Sequence, residues 1–468
     1  MSSEAAIDPG AALAEERRQR TAHVLKGGVG VFGLRVGALV LGLVADLVLT
    51  NALGLERYGL FAIGVSWLSV LIPVGTLGMN TALLKVVPSE AERPGLVRGM
   101  VAWSARRMVA AAVLLGALFA GGVLLAGERV PADLRGVLLV LAGFLPVQVL
   151  AVHRGAVLQA LKHPVLSLLP EQVLRVAAFV ALVLGLWWVR GEELSALDAA
   201  WAYGGGMVVG LVFAGAWSRK RTPAPVRAAA PRLDAAAWWL LALPMCWNTV
   251  MRLLNSRADP AMLGWLLGDD GIASAGGYSI ANRLASLLLF GMVAANAVAA
   301  PHIAELHAKG ARHELQRLVT LVAQGLTAYA LPLALLMAAV GPWLLTRFGE
   351  GFDAAYPTLC LLVAARTLTC FAGTVGFLLA LTGHQGRVAR LMTGCAALKI
   401  TLNLVLIPTH GETGAAVATL VMLTLFTALA WRDVRRLVGV EPTVLASLGW
   451  LPPAPAASGP GEDPEARP

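Results

Sequence analysis

The sequence predicts an all-α integral membrane protein with about twelve transmembrane helices in two pseudo-symmetric six-helix lobes. Of the 468 residues, 57% are hydrophobic and only 14% are charged, and the mean hydropathy is +0.72. A soluble chain carries about 25% charged residues, so most of this surface must face lipid. Apolar runs recur at the length of roughly 20 residues that a helix needs to cross a bilayer. This composition excludes a soluble enzyme, a DNA-binding protein and a disordered scaffold.

Each predicted span is a long apolar run, which must be helical because lipid leaves backbone groups satisfied only in helices or closed barrels. The spans cover about 28–51, 59–84, 108–126, 136–158, 166–188, 199–217, 238–266, 276–300, 318–345, 355–381, 388–408 and 413–431. They predict five segments: a cytoplasmic tail (1–27), an N-terminal six-helix lobe (28–217), a basic cytoplasmic linker (218–237), a C-terminal six-helix lobe (238–432) and a Pro-rich, partly disordered cytoplasmic tail (433–468).

The distribution of Lys and Arg predicts the orientation in the membrane. The six loops on one side hold only five basic residues, whereas the connections on the other side hold more than four times as many. Basic residues favour the cytoplasmic side, so both termini are predicted to be cytoplasmic. The linker, SRKRTPAPVRAAAPR over 218–232, is the densest basic segment and should lie near anionic headgroups. Most of the net charge of +9 is therefore explained without nucleic acid.

The two predicted lobes share a weak internal repeat. In the first lobe Asp46 precedes Gly54, and Tyr58 begins the next helix. In the second lobe Asp259 precedes Gly268, and Tyr278 begins the next helix. Because six helices is an even number, the lobes should be parallel repeats about an axis along the membrane normal. Two such bundles enclose a central cleft, which is typical of transporters.

Several local sequences resemble Wzx-type polysaccharide flippases of the multidrug/oligosaccharidyl-lipid/polysaccharide (MOP) exporter superfamily. They are Leu53–Lys85 (LGLERYGLFAIGVSW…TALLK), Gly276–Leu306 (GGYSIANRLASLL…APHIAEL), Phe348–Ala355 (FGEGFDAA), Leu381–Gly383 (LTG) and Asn403–Ala416 (NLVLIPTHGETGAA). The resemblance implies a MATE-like fold and alternating access in a bacterial inner membrane. It implies that a polyprenyl-diphosphate-linked oligosaccharide moves from the cytoplasmic to the periplasmic leaflet, for surface polysaccharide biosynthesis. A polysaccharide polymerase and a chain-length regulator are the partners that this pathway implies, besides membrane lipids.

Charged residues within the spans are the candidates for function, because each is costly in lipid and usually faces a cavity or a partner. Guanidinium forks match the oxygens of a diphosphate, so we predict that a cationic cleft binds this headgroup. The predicted substrate-binding residues are Arg35, Arg283, Arg366, Lys399, Arg175 and Arg252.

A structural interpretation of the same residues competes with the functional one. An intramembrane Arg can hold a bundle together by pairing with a carboxylate or a carbonyl. This interpretation is stronger for Arg175, Arg252 and Arg257, which lie nearer helix ends or near Asp259. Asp46 and Asp259 are either salt-bridge partners or the groups that couple transport to an H⁺ or Na⁺ gradient. No cofactor is expected beyond such an ion.

Two other functions remain as alternatives. An ion-coupled multidrug exporter of the same superfamily is disfavoured by the cationic core. A membrane polysaccharide polymerase or ligase would need catalytic residues in a sizeable periplasmic loop, and the predicted outer loops are only about 4 to 10 residues long. The chain is therefore predicted not to be an enzyme and not to bind nucleic acid.

Overall fold

A computed structural model describes the backbone of residues 9–444 and the side chains of residues 30–444, Glu192 excepted. Within this part of the chain the regular structure is entirely helical, as predicted. Nine of these helical segments are long and apolar enough to span a membrane. The protein is thus a multi-pass helical membrane protein.

The first half of the chain forms a bundle in which α4 is central and packs against α1, α3 and α7. Its helices are α1 (Pro9–Thr76), α2 (Met79–Ser89), α3 (Pro94–Ala126), α4 (Ala132–Ala160), α5 (Pro164–Leu169), α6 (Arg175–Arg190) and α7 (Ala196–Arg221).

The second half forms another bundle, in which α15 packs against α9, α13 and α14. Its helices are α8 (Ala224–Ala228), α9 (Ala235–Leu267), α10 (Asp270–Ala285), α11 (Leu288–Ala308), α12 (Arg312–Thr346), α13 (Tyr356–Phe371), α14 (Val375–Leu381) and α15 (Gln385–Leu437), of which α8 lies in the linker. The two bundles meet where α1 packs against α9 and α10.

The predicted count of twelve spans is compatible with this architecture but is not confirmed by it. Two long helices, α1 and α15, each bend at a single glycine with positive φ: Gly54 (φ 76°) and Gly411 (φ 56°). A residue without Cβ is the one that adopts this conformation readily, so each long helix supplies two spans. The segment α9, which carries three charged residues, is not among the nine apolar spans, and α10 has only 16 residues.

Four predicted spans are interrupted, which the apolar pattern did not reveal. The span predicted at 59–84 breaks at Leu77 and Gly78, both with positive φ. The span at 276–300 breaks between α10 and α11, and the one at 355–381 breaks at Gly373 (φ 69°). The span at 166–188 contains a π-helical turn at Pro170–Leu174. Backbone breaks are tolerated in membrane helices where neighbouring helices satisfy the freed groups.

The lobes make close backbone contacts both near Gly54 and beside α2, where a Cβ added at Gly78 would lie 2.2 Å from the carbonyl oxygen of Ala242 in α9. The Gly54 end, which carries Gly54 and Gly268, is closed by close backbone contacts between the lobes. A Cβ added at Gly59 of α1 would lie 1.9 Å from the carbonyl oxygen of Ile272 in α10. The opposite end, called the linker end here, carries α8 and the residues around it.

Candidate functional site: a cationic cleft between the lobes

One face of α1 changes from exposed to buried along its length. Spacings of seven and eleven residues are two and three helical turns, so Arg35, Gly42, Asp46, Leu49 and Leu53 share a face. Arg35 is exposed, the Asp46 side chain is 19% exposed, and Leu49 and Leu53 are buried at 1% and 6%. Arg35 thus lies at the exposed end of this face, nearer the linker end, and the face is buried towards the Gly54 end.

Arg283 and Asp46 form an ion pair that joins the two lobes. Arg283 Nε donates to Asp46 Oδ2 at 2.7 Å. Arg283 lies in the last turn of α10, where the helix dipole favours a cation. A Cβ at Gly42 would lie 2.5 Å from a terminal nitrogen of Arg283, so the guanidinium would have to shift if this position carried a side chain. The guanidinium therefore rests directly against the α1 backbone.

Two further arginines lie beside this pair. Arg366 of α13 is half-buried; its only described side-chain hydrogen bond is a long one of 3.4 Å to Asn282 Oδ1, and its Nε is buried without a partner. Arg257 of α9 is exposed, and it lies close enough to repel both Arg283 and Arg366. Three helices of the C-terminal half thus bring cations together, and two of these cations, Arg283 and Arg257, interact with Asp46 of α1.

The charges in this arginine cluster, defined as Arg257, Arg283 and Arg366, are not balanced. Asp46 is engaged by Arg283, and neither Arg257 nor Arg366 forms an ion pair with a carboxylate of the described residues. Three cations and one carboxylate leave a surplus of two positive charges at this site. Unpaired charges in a membrane require water or an anion, so the cluster is suited to an anionic ligand with several acceptor oxygens.

Lys399 and Asp259 lie in a buried polar network next to Arg366. Lys399 Nζ is 2.8 Å from Asp259 Oδ2 and 2.6 Å from the Asn255 carbonyl oxygen, and the two charged side chains are only 2% and 3% exposed. Asn403 Nδ2 donates to Asp259 Oδ1 at 2.9 Å, and the Tyr278 hydroxyl donates to Oδ2. The pair supplies its own counter-charge, so this geometry favours the structural interpretation of both residues.

The predicted Asp–Tyr correspondence between the lobes is visible in these contacts. Asp259 of α9 accepts from Tyr278 of α10, and Asp46 interacts with Tyr58, which follows the Gly54 bend. The cationic partners differ, however. Asp259 pairs with Lys399 of its own lobe, whereas Asp46 pairs across the interface with Arg283. Only the second pair is positioned to respond to movement between the lobes.

Arg175 is anchored on the N-terminal side of the cleft. Its Nε lies 3.0 Å from Glu171 Oε1, and its guanidinium carbon is 5.1 Å from the Tyr203 ring centroid. The π-helical turn at Pro170–Leu174 directly precedes it. Arg252 is exposed on α9. Neither Arg252 nor Arg35 has a side-chain hydrogen bond or ion pair with another described residue, and the roles predicted for all three arginines stay predictions.

Sequence reasoning did not assign a site role to Arg257, and it overlooked Glu171. Arg257 was interpreted as a partner of Asp259, two residues later, but two residues turn a helix by about 200°. Asp259 therefore faces Lys399, while Arg257 faces the cluster. Glu171 lies inside a predicted span, and the only feature of the sequence that could have marked it as a candidate site residue is its charge. Tyr203 lies beside Arg175, but nothing in the sequence distinguishes it from an ordinary aromatic residue of the core.

Comparisons with known proteins agree with this architecture. A structure described as the inward-facing conformation of a multidrug resistance MATE family transporter of the MOP superfamily matches with a TM-score of 0.68, at 14% identity, over 85% of this chain and 94% of that one. The lipid II flippase MurJ in an inward closed conformation matches with a TM-score of 0.68, at 12% identity, over 86% and 87%. An outward-facing MATE family structure matches at 0.56, with 14% identity, over 88% and 94%. No curated protein matches the sequence significantly.

The fold is the one found in structures described as a MATE family transporter of the MOP superfamily and as a lipid II flippase. A family model described as "Polysaccharide biosynthesis protein" matches residues 24–307, which is more than half of the chain. The protein belongs to this family, and the resemblance inferred from the sequence motifs is confirmed.

Proposed function

We propose that the protein is a flippase for a polyprenyl-diphosphate-linked oligosaccharide, and that the arginine cluster binds the diphosphate. The observation that supports this is the surplus positive charge of Arg257 and Arg366, which lack a carboxylate partner among the described residues. A diphosphate supplies both negative charge and oxygens for the planar guanidinium fork. Membership of a polysaccharide biosynthesis family supports a glycan cargo.

Transport would proceed by alternating access, from the cytoplasmic to the periplasmic leaflet of the bacterial inner membrane. The exposed Arg35 provides a first cation on the open end of the α1 face, and the cluster lies further along the same cleft. The Gly54 end would open once the headgroup is bound. The higher TM-score to the inward-facing structure than to the outward-facing one supports a cleft that begins open to the cytoplasm. A polysaccharide polymerase and a chain-length regulator would act on the delivered cargo.

Asp46 provides a route for ion coupling in this proposal. The carboxylate competes with any anionic ligand for Arg283, because the two already form a close pair. Protonation of Asp46, or Na⁺ bound beside it, would release the guanidinium to the diphosphate. Loss of the interlobe pair would also loosen the contact between α1 and α10. The coupling step and the binding step therefore share one residue, Arg283.

A multidrug exporter is the second candidate, because two of the similar solved structures are described as multidrug resistance transporters. The charge of the cleft argues against a cationic drug as cargo. Like charges repel, and the Arg257 and Arg366 guanidinium groups would face such a drug without an intervening carboxylate. An anionic or zwitterionic compound is the drug class that this cleft would tolerate.

The test is glycan export in a flippase-deficient strain. Arg257→Gln and Arg366→Gln should each reduce surface glycan strongly, because one charge-assisted contact is worth about 1.5–3 kcal/mol, or roughly 10- to 100-fold in affinity. Arg→Lys should restore export only in part, since the ammonium keeps the charge and loses the fork. Arg312→Gln, an exposed position at the start of α12, is the matched control. Normal export by both Gln variants at normal membrane abundance would refute diphosphate binding by the cluster.

A further inference from the structure

A second basic site lies at the linker end of the N-terminal lobe, away from the cleft. A cavity of about 540 Å³ is lined by residues of α3, α4 and the linker. Four arginines surround it: Arg98, Arg106, Arg154 and Arg227. No carboxylate is among the residues that line it, and none of the four forms an ion pair with a described acidic residue.

Apart from Thr222, the rest of the cavity wall is apolar. Val97, Val157 and Leu161 contribute from the lobe, and Val226 contributes from the linker. Val226 is only 8% exposed, so the linker inserts an apolar side chain into the lobe. A wall of branched aliphatic groups beside several guanidinium groups suits a molecule with an anionic head and an apolar body.

The linker is already held in place around this cavity by its backbone. Arg98 donates to the Ala229 carbonyl oxygen at 2.7 Å, and the Arg232 amide donates to the Gly95 carbonyl oxygen at 2.9 Å. Gly99 allows the close approach, because a Cβ there would lie 1.8 Å from the Arg232 carbonyl oxygen. The cavity is therefore a built feature of the fold and does not depend on long flexible side chains alone.

We propose that this cavity binds the phosphate headgroup of an anionic phospholipid and thereby ties the linker to the N-terminal lobe. The shared chemistry is a phosphate group, which Arg binds with its planar fork. A lipid is the source that we infer, since the aliphatic wall would contact its glycerol and acyl groups while free phosphate would leave that wall unused. Because the linker joins the lobes, occupancy of the site restrains the segment that must accommodate their relative movement.

The effect of each arginine can be estimated from membrane electrostatics. A basic residue near an anionic surface contributes about 1 kcal/mol, which is roughly a fivefold change in affinity. The Arg106→Gln/Arg154→Gln double variant should therefore bind about 30-fold more weakly. The Arg107→Gln/Arg312→Gln double variant removes the same charge from exposed positions that do not line the cavity, and should bind within about threefold of the parent protein.

The experiment is a thermal-unfolding titration of the purified full chain in a neutral detergent. Dioleoyl phosphatidylglycerol, dioleoyl phosphatidylcholine and inorganic phosphate are the probes, since a ligand of the folded state raises Tm with its concentration. Phosphatidylglycerol should stabilise the parent and the control variant at concentrations about 30-fold below those that the test variant requires. If the double variant does not fold, Arg227→Gln on the exposed linker replaces it, and this variant should require about fivefold more phosphatidylglycerol than the parent for the same rise in Tm.

Three results would overturn the proposal. Identical titration curves for the test and control variants would show that the cavity does not hold the lipid. Equal stabilisation by phosphatidylcholine would show that the negative charge is irrelevant. Equal stabilisation by inorganic phosphate at the same concentration would show that the ligand is a free anion and that the aliphatic wall does not contribute.

Discussion

Neutralising Lys399 should destabilise the protein, because the structure places its charge opposite Asp259 in a dry part of the bundle. Nζ lies 2.8 Å from Asp259 Oδ2, and the side chains are 2% and 3% exposed. Removing one partner of such a buried pair costs about 3–5 kcal/mol, since the remaining charge stays desolvated. Lys399→Met should therefore lower Tm by on the order of 5 °C, at about 1–2 °C per kcal/mol for a chain of this size.

The double variant Lys399→Met/Asp259→Asn separates a structural role from a substrate-binding role. Replacing both members removes the stranded charge, and such replacements are often neutral in energy. Asn can still accept from Tyr278. We expect the double variant to recover most of the lost Tm, together with membrane abundance and glycan export. A double variant that is as stable as the parent but exports no glycan would refute this reasoning and would support a functional role for the pair, either substrate binding by Lys399 or ion coupling by Asp259.

Three further predictions concern other parts of the molecule. Gly59→Ala should lower the free energy of unfolding by about 1–3 kcal/mol and loosen the Gly54 end, because its Cβ would collide with an α10 carbonyl oxygen. The control is Gly37→Ala, because a Cβ at Gly37 would have no other atom within 4 Å. Equal Tm values for the two variants would contradict the close contact between the lobes at the Gly54 end. Arg175→Met should cost about 1–2 kcal/mol in thermal unfolding and should be partly rescued by Glu171→Gln, since the two side chains are mostly buried, at 16% and 32% exposed; an unchanged Tm would argue against an anchoring role. A reporter fused at Arg221 should give a cytoplasmic signal, and a periplasmic signal would overturn the predicted topology.

The sequence was sufficient for the fold class because hydrophobic length and charge bias are properties of single segments. The all-helical fold followed from them and the superfamily architecture from the motif resemblance, and the glycines at 54 and 411 lie in the predicted gaps between spans. Interruptions inside spans were missed because the apolar pattern continues through them. Leu77 and Gly78, for example, lie within a run that remains hydrophobic while its backbone turns.

The composition of the site was harder to predict, since it depends on which helix each charge faces. The surplus of cations was evident from the sequence, and in the structure Arg283 and Arg366 each lie close to Arg257. The residues around Lys399 in the sequence are as apolar as those around Arg283 and Arg366, yet Lys399 pairs with Asp259 because α9 and α15 are packed together. Arg257 and Asp259 are near neighbours in sequence and serve different networks. Such partner choice is a tertiary property that spacing along one helix does not contain.

Binding of an isoprenoid diphosphate to the purified protein tests the central claim most directly. The measurement is the Kd of undecaprenyl diphosphate for the parent protein, for Arg366→Gln and for the Arg312→Gln control. Loss of a charge-assisted contact of about 1.5–3 kcal/mol predicts a Kd raised roughly 10- to 100-fold in Arg366→Gln, with the control unchanged. Equal Kd values for all three proteins would contradict the account, because the unpaired guanidinium of Arg366 would then have no part in holding the diphosphate.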